Sequence, residues 1–344
     1  MSNKVKSHFI IPIFIPHQGC PHRCVFCQQS TITNRSEGIP TADDIGNVIE
    51  SAIQSRHFPK EKLGEVAFYG GTFTALPNSS MTDMLEAVRP FVREGAIQSI
   101  RVSTRPDALD GDKLDILESY HVSTVELGIQ SMDDQVLYLS RRGHTSGDTV
   151  NGFATLRRRG FKVGAQLMPG LPGDTPEIFL ETVTKVIALR PDMARLYPTL
   201  VIRDTKLAQW YHQGKYTPMQ LEDTINLCKE ACMRFENAGI PVIRIGLMSS
   251  PSLLRRGEIV AGPWHPSLGF LVRSAIHLAK LTPYLPTFSQ PKTIILHAPR
   301  DEIPLIMGYR KSGKKTIEAL TGAIVGKIVP DGSIPLGKIG ITTL

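Results

Sequence analysis

Three cysteines fall within eight residues, Cys20-Pro-His-Arg-Cys24-Val-Phe-Cys27, in the spacing C-x3-C-x2-C. Three thiolates on one short loop can hold three irons of a [4Fe–4S] cluster, whereas an electron-transfer cluster takes four protein ligands. No fourth cysteine lies nearby, so one iron stays open to something that is not protein. That is the requirement for binding S-adenosylmethionine (SAM) through its amino and carboxylate groups and cleaving it reductively. The rival is a structural zinc site completed by His17 or His22. Structural zinc sites usually join two ligand pairs from separated segments, and no second pair exists here. A disulfide suits the crowded, odd-numbered thiols less well.

Further polar and small residues stand where strands end. Gly70-Gly71-Thr72 closes one strand pattern, and paired glycines let the backbone approach a ligand closely. Ser103, Gln130 and Gln166 place polar groups at three other strand ends. Such groups need partners when buried, and a ribose with two hydroxyls would supply them. Arg142 is a candidate for a charge-assisted contact with the SAM carboxylate. Phe26, beside the last cysteine, is placed for an adenine contact or as a loop anchor. Met168-Pro169-Gly170-Leu171-Pro172-Gly173 reads as a rigid turn that shapes a rim. Gly308 with Gly313-Lys314 approaches a phosphate-loop pattern, but Lys315 occupies the required Ser/Thr position.

The elements that must position these residues alternate along the chain. An apolar strand over 9–15 runs into the cysteine loop, and Thr41 with Asp44 opens a helix striped by Ile45, Val48, Ile49, Ala52 and Ile53. Strands follow at 66–69, 100–103, 124–129, 162–168 and 193–197. Helices fall between them, one capped by Thr175 with Pro176 in its first turn. Repeated βα units imply a parallel sheet with helices outside, and six units make an α/β partial (β/α)6 TIM-like barrel. Active sites of that class sit at the C-terminal strand ends, where the candidates fall. Thr217-Pro218-Met219-Gln220 reads as a capping box for a long helix, with Cys228 and Cys232 on its apolar face. Gly239 ends that helix and a strand follows over 241–245. The Pro-rich stretch 282–291 reads as a linker or surface loop. Segments at 293–297, 315–320, 323–329 and 338–341 form a small α/β tail. The expected division is a barrel over 1–250 and a C-terminal extension over 251–344 that caps it.

Hydrophobic content of 41% and charged content of 21% belong to a globular chain. No apolar run reaches the roughly 18 residues of a membrane helix. Lys4 and Lys6 precede an apolar stretch, but Pro12 interrupts it and no cleavage signal follows. Five cysteines without a paired framework fit a reducing cytoplasm. The net charge of +7 permits an anionic partner such as RNA. Basic clusters lie at Arg141-Arg142, Arg157 to Arg159, Arg255-Arg256 and Lys311 to Lys315.

With these motifs in hand, the sequence resembles the radical SAM superfamily, and within it the radical SAM domain of the Elongator catalytic subunit family. The matching stretches are Gly70-Gly71-Thr72-Phe73 with Ala75-Leu76-Pro77, Thr104-Arg105-Pro106-Asp107, Glu126 to Ser131, Arg142-Gly143-His144-Thr145, and Leu196 to Arg203. The resemblance covers residues 8 to 250. It implies Cys20, Cys24 and Cys27 as cluster ligands and Gly70, Gly71 and Thr72 as the SAM amino-group contact. Similarity to oxygen-independent coproporphyrinogen dehydrogenases extends this to Ser103, Gln130, Arg142 and Gln166 for the ribose and carboxylate. A radical SAM enzyme acting on tRNA or other RNA, reduced by a donor such as flavodoxin or ferredoxin, is the implied function. The Elongator subunits have a longer gap between their first two cysteines, an N-terminal RNA-binding extension and an acetyltransferase-like domain. Here the expectation is a chain with neither addition. The other readings are a small-metabolite enzyme, with Trp264 and His265 near a capping tail, and a catalytically silent RNA-binding scaffold.

Overall fold

The computed structural model of the chain describes residues 9–35, 38–56, 58, 64–290 and 292–344. Lys4, Lys6 and Pro291, which entered the reading of the termini and loops, lie outside them. The strands are β1 (Phe9–Ile15), β2 (Gly64–Gly70), β3 (Ile97–Thr104), β4 (Val122–Gln130), β5 (Lys162–Leu167), β6 (Met193–Leu196), β7 (Val201–Ile202), β8 (Val242–Ile245), β9 (Ile259–Ala261), β10 (Thr293–Ala298), β11 (Ile324–Pro330) and β12 (Gly340–Thr343). The helices are α1 (Gln29–Thr33), α2 (Ala42–Gln54), α3 (Asn78–Arg93), α4 (Gly111–Ser119), α5 (Asp134–Leu139), α6 (Ser146–Arg158), α7 (Pro176–Ala188), α8 (Lys206–His212), α9 (Leu221–Asn237), α10 (Leu268–Leu281), α11 (Ile303–Met307) and α12 (Ser312–Thr321).

Seven strands form one parallel half-barrel sheet in the order β1-β2-β3-β4-β5-β6-β8. The seventh, β8, pairs in parallel with β6, so the sheet has one strand more than the six counted from the βα repeat. Period-2 alternation sorts the side chains of these strands. Ile11, Ile13, Ile15, Val66, Phe68, Val102, Val125, Leu127, Val163 and Leu196 are buried on one face. The alternate positions carry charge instead: Glu65, Arg101, Glu126 and Arg195, all buried. These four pair across the sheet, Glu65 and Glu126 with Arg101 between adjacent strands and Glu126 with Arg195 over the intervening β5. Arg101 bonds Glu65 at 2.6 Å and also bonds Glu126, while Arg195 Nε meets Glu126 Oε2 at 2.8 Å. Above them Arg195 donates to the hydroxyls of Tyr69 (2.5 Å) and Tyr197 (3.1 Å).

Caps fix where the outer helices begin. Thr41 accepts from the Asp44 amide in a full capping box at α2, and Thr145 does the same with Asp148 at α6. Thr175 caps α7 with a proline in its first turn. The capping box expected at Thr217 is not formed: α9 starts at Leu221, which leaves Thr217 outside it. Cys228 and Cys232 are fully buried in that helix.

By their contacts the described residues divide into two compact units. One combines the chain up to Met219 with Phe235–Pro263, and the other combines Gln220–Arg234 with Trp264–Leu344. The second contains a three-stranded sheet, β11-β10-β12. Ile294, Leu296 and Ala298 of β10 pack against Leu281, Ile306, Ile317 and Val325. Within it, α10 was not read from the sequence. The glycines of the near phosphate-loop have a packing reason: a Cβ on Gly308 would meet Gly313, and one on Gly313 would overlap the Ile306 carbonyl. Among the described residues no helix is long and apolar enough to cross a membrane.

Candidate active site

The cysteine loop leaves β1 at Ile15 and is closed on itself. The Gln29 amide donates to His17 Nε2 at 3.0 Å, and the Gln29 side-chain oxygen accepts from the His17 amide. The Cys27 amide bonds the Cys24 carbonyl at 3.1 Å. Val25 and Phe26 bury their side chains among Val136, Leu171, Val201, Leu207 and Ala208. Phe26 therefore anchors the loop through its ring. Backbone bonds from Val25 to Ser140 (3.2 Å) and from Leu207 to Val25 (2.8 Å) fix the same segment to two helices. Cys20, Cys24 and Cys27 remain half-buried.

Glycines bring this loop against the end of β2. A Cβ on Gly71 would lie 2.6 Å from the Ile15 carbonyl oxygen and closer still to that of Gln18. A Cβ on Gly19, at φ +70°, would overlap the Thr72 carbonyl. Only hydrogen side chains permit this backbone-on-backbone seating. The Thr72 amide donates to the Gln18 carbonyl at 2.8 Å, and the Thr72 hydroxyl stands 3.4 Å from Cys20 Sγ. Gly70 sits at φ +105° beside them. The Gly-Gly-Thr segment thus positions the cysteine loop.

Arg142 reaches the loop from the other side. It is buried, donating to the Gly128 carbonyl at 2.6 Å and to Cys24 Sγ at 3.3 Å, while its Nε has no partner among the described residues. Gly128 leaves room for it, since a Cβ there would lie 3.3 Å from Arg142 Nη2 and 2.9 Å from Gln130 Nε2. Gln130 ends β4 at φ +71°, a left-handed backbone that costs a non-glycine residue about 1 kcal/mol or more. Its side-chain oxygen accepts from Gln166 Nε2 at 3.2 Å. The structure brings Cys20 to Thr72, Cys24 to Arg142 and Gln130 to Gln166. Ser103, half-buried near the end of β3, makes no side-chain hydrogen bond among the described residues.

Electrostatics separate the groups. Burial pushes the Cys27 thiol up first, and the neighbouring Cys24 and Cys20 add to it, so the three thiols share one field. Burial lowers the His144 imidazole to about 3, with Arg142 and Arg105 adding to the effect. Its Nε2 lies 3.3 Å from the Ile129 carbonyl oxygen. Arg105 and Asp107 form a two-bonded pair at 2.9 and 2.8 Å beneath. Among the described residues no three His, Cys, Asp or Glu side chains converge where a single metal ion could sit.

The sequence reading missed the polar inner face that leads to this mouth: Glu65, Tyr69, Arg101, Glu126, Arg195 and Tyr197. The signal was present. Parallel strands covered on both faces read as continuous apolar runs, so charges at alternate strand positions mark a polar interior.

A seven-stranded parallel half-barrel with a three-cysteine loop at its strand mouth defines a class. The chain belongs to the radical SAM superfamily, whose family model matches residues 14–186, and it is a radical SAM enzyme. A Radical SAM C-terminal domain model matches residues 191–277. The chain is 29% identical over 231 residues to an uncharacterized protein of Methanocaldococcus jannaschii, covering 64% of this chain and 69% of that one. It is 28% identical to the tRNA uridine(34) acetyltransferase of Dehalococcoides mccartyi, over 58% of this chain and 50% of the relative. With Elongator complex protein 3 of Homo sapiens it shares 30% identity over 62% of this chain and 46% of the relative. It spans about half the length of these last two. Among solved structures, the archaeal Methanocaldococcus infernus Elp3 with an N-terminal deletion superposes with a TM-score of 0.60 at 23% identity. The match covers 78% of this chain and 62% of that chain, a likeness of fold.

Proposed function

We propose that this chain uses a [4Fe–4S] cluster on Cys20, Cys24 and Cys27 to cleave SAM reductively in the modification of tRNA or another RNA. The observation that carries the reading is the seating of a three-thiol loop, by Gly19 and Gly71, at the strand mouth beside a buried arginine. The residues present fit both groups. Three soft thiolate donors suit iron–sulfur ligation. Arg142 holds a buried guanidinium whose Nε lacks a partner, which suits a carboxylate. Bound together, the two cofactors supply a 5′-deoxyadenosyl radical able to abstract hydrogen from a substrate.

The chain's own residues bind and orient. Thr72 and Gly71 fix the loop that presents the thiols. Gln130 and Gln166, locked to one another, offer amide groups to ribose hydroxyls, and Ser103 adds a free hydroxyl. The packed ring of Phe26 anchors the loop that carries the thiols. The extent and names of the relatives, which include a tRNA uridine(34) acetyltransferase, support RNA as the substrate class.

Anaerobic protein given dithionite and SAM is expected to release 5′-deoxyadenosine, and bulk tRNA is expected to raise the yield. Cys24→Ala should lose cluster absorbance and SAM cleavage, whereas Cys228→Ala should keep both. Cleavage retained by the Cys24 variant would overturn the ligand assignment.

A further inference from the structure

The chain's positive charge is concentrated. Residues 264–344 hold ten Lys and Arg against four Asp and Glu, while the 263 residues before them hold 29 against 28. Residues 220–234 of the same compact unit add two cations and three anions, which leaves that unit at +5. The remainder of the chain is close to neutral.

Pairing differs in degree between the units. In the barrel unit many arginines are held by carboxylates, Arg89 by Glu86, Arg101 by Glu65 and Glu126, Arg105 by Asp107, Arg157 by Asp192, and Arg159 by Asp115 and Glu118, while Arg141, Arg158, Arg190, Arg255 and Arg256 are exposed without a carboxylate partner among the described residues. The basic run Arg157 to Arg159 is therefore largely neutralised where it stands. In the C-terminal unit, Lys292, Arg300, Arg310, Lys311, Lys315, Lys327 and Lys338 are exposed, and among the described residues none has a carboxylate partner. Exposed like charges left unpaired repel one another and favour association with a polyanion, which releases condensed counterions on binding.

Three of these cations also lie against aromatic rings. Lys338 stands 3.7 Å from the Tyr284 ring centroid, Arg310 5.3 Å from that of Tyr309, and Lys292 5.8 Å from that of Phe288. Tyr284 is 54% and Tyr309 40% exposed, so both rings are accessible to a ligand. A cation beside an exposed ring offers a phosphate contact and a stacking platform together, the pairing used for single-stranded nucleic acid. A protein partner would need a contiguous apolar patch or matching acidic side chains, whereas flexible single-stranded RNA matches separated ring-and-cation pairs.

We infer that the C-terminal unit is an RNA-binding surface, in which Lys292, Arg310, Lys311, Lys315, Lys327 and Lys338 contact phosphates and Tyr284 and Tyr309 stack on unpaired bases. The inference deepens the proposed function and rests on its RNA substrate class.

The test uses the full chain and fluorescently labelled bulk tRNA, with anisotropy titrations at several salt concentrations. Replacing all six phosphate-contacting residues by Gln should weaken binding at least tenfold at about 0.1 M salt. It should also flatten the slope of log K against log salt by at least ~2, since each lost phosphate contact removes roughly 0.7–0.9. A control that neutralises Arg158, Lys162, Lys206, Lys215, Arg255 and Arg256 should change both by far less. Tyr284→Ala with Tyr309→Ala should weaken an oligouridylate roughly fivefold or more and leave the slope unchanged, a result that loss of folding would not give. Equal losses in the two six-residue variants would overturn the surface, because net charge alone would explain them. Wild-type binding untouched by the C-terminal variant would overturn the surface and leave the RNA reading standing. Failure of the wild-type chain to bind tRNA would remove both.

Discussion

Gly71→Ala probes how the cysteine loop is held. The new methyl would lie 2.6 Å from the Ile15 carbonyl oxygen and nearer to that of Gln18, while ordinary carbon–oxygen contact begins above 3 Å. Both obstacles are backbone, so no rotamer change relieves them. Gln18 and Ile15 must retreat by several tenths of an ångström or more, and Cys20, two residues beyond Gln18, moves with them. Overpacking of this kind costs about 1–3 kcal/mol. The same shift weakens the 2.8 Å bond from Thr72 to Gln18 and the 3.4 Å approach of Thr72 to Cys20. Another ~1 kcal/mol follows from losing one such bond. The barrel core is untouched, so the variant should stay folded yet retain much less iron after anaerobic reconstitution. Gly46→Ala is the matched control: nothing lies within 4 Å of its Cβ, and it sits inside α2, where alanine gains about 0.5–1 kcal/mol. Iron content and visible absorbance per folded chain, with urea unfolding for stability, separate the two. A Gly71→Ala protein that binds iron as the wild type does would refute the reasoning, because the close approach would then be dispensable.

Two further perturbations test other parts of the fold. Glu126→Gln removes the carboxylate shared by Arg101 and Arg195, both buried, and should lower stability by about 3–5 kcal/mol in urea unfolding. A loss under ~1 kcal/mol would mean that the inner face is far wetter than its burial indicates. Burial raises the Asp174 carboxyl from 3.8 to about 6, although the Gly170 and Thr175 amides oppose it. A carboxyl whose folded pKa is raised favours the folded state fully below about pH 4, and that advantage is lost as pH rises through 6. Relative to Asp174→Asn, the wild type should therefore lose up to ~3 kcal/mol of stability between pH 4 and pH 7. A difference between the two proteins that stays constant across that range would count against the assignment.

Much of the architecture was legible because its signals are local. The caps at Thr41 and Thr175, the strand-to-cysteine run after Ile15 and the buried stripe holding Cys228 and Cys232 each depend on neighbours within a few residues. Where the reading failed, the cause lay in distant contacts. β8 is four residues long, and only its pairing with β6 makes it the seventh strand of the sheet. Thr217 and Gln220 have the spacing of a capping box, yet α9 starts at Leu221 and the pattern is idle. Helix α10 was missed although Ser267, a residue type that commonly opens helices, precedes it and Leu268, Val272 and Ile276 recur at helical spacing.

The candidate site divides in the same way. Residue type and spacing settled that three thiols share one loop, because ligand identity and separation along eight residues are properties of the chain itself. Sequence also set the strand-end placement of Gly70, Gln130 and Gln166, through alternating apolar periods. What holds the loop came only with the third dimension. The seating of Gly19 and Gly71 against facing carbonyls, the reach of Arg142 across 118 positions to Cys24, and the carboxylate bridge from Glu126 to arginines on two strands join segments far apart in sequence. Such contacts carry no periodicity and no spacing rule. They exist because a curled parallel sheet brings its C-terminal strand ends to one mouth, and steric fit and charge pairing then select which side chains can share that small volume.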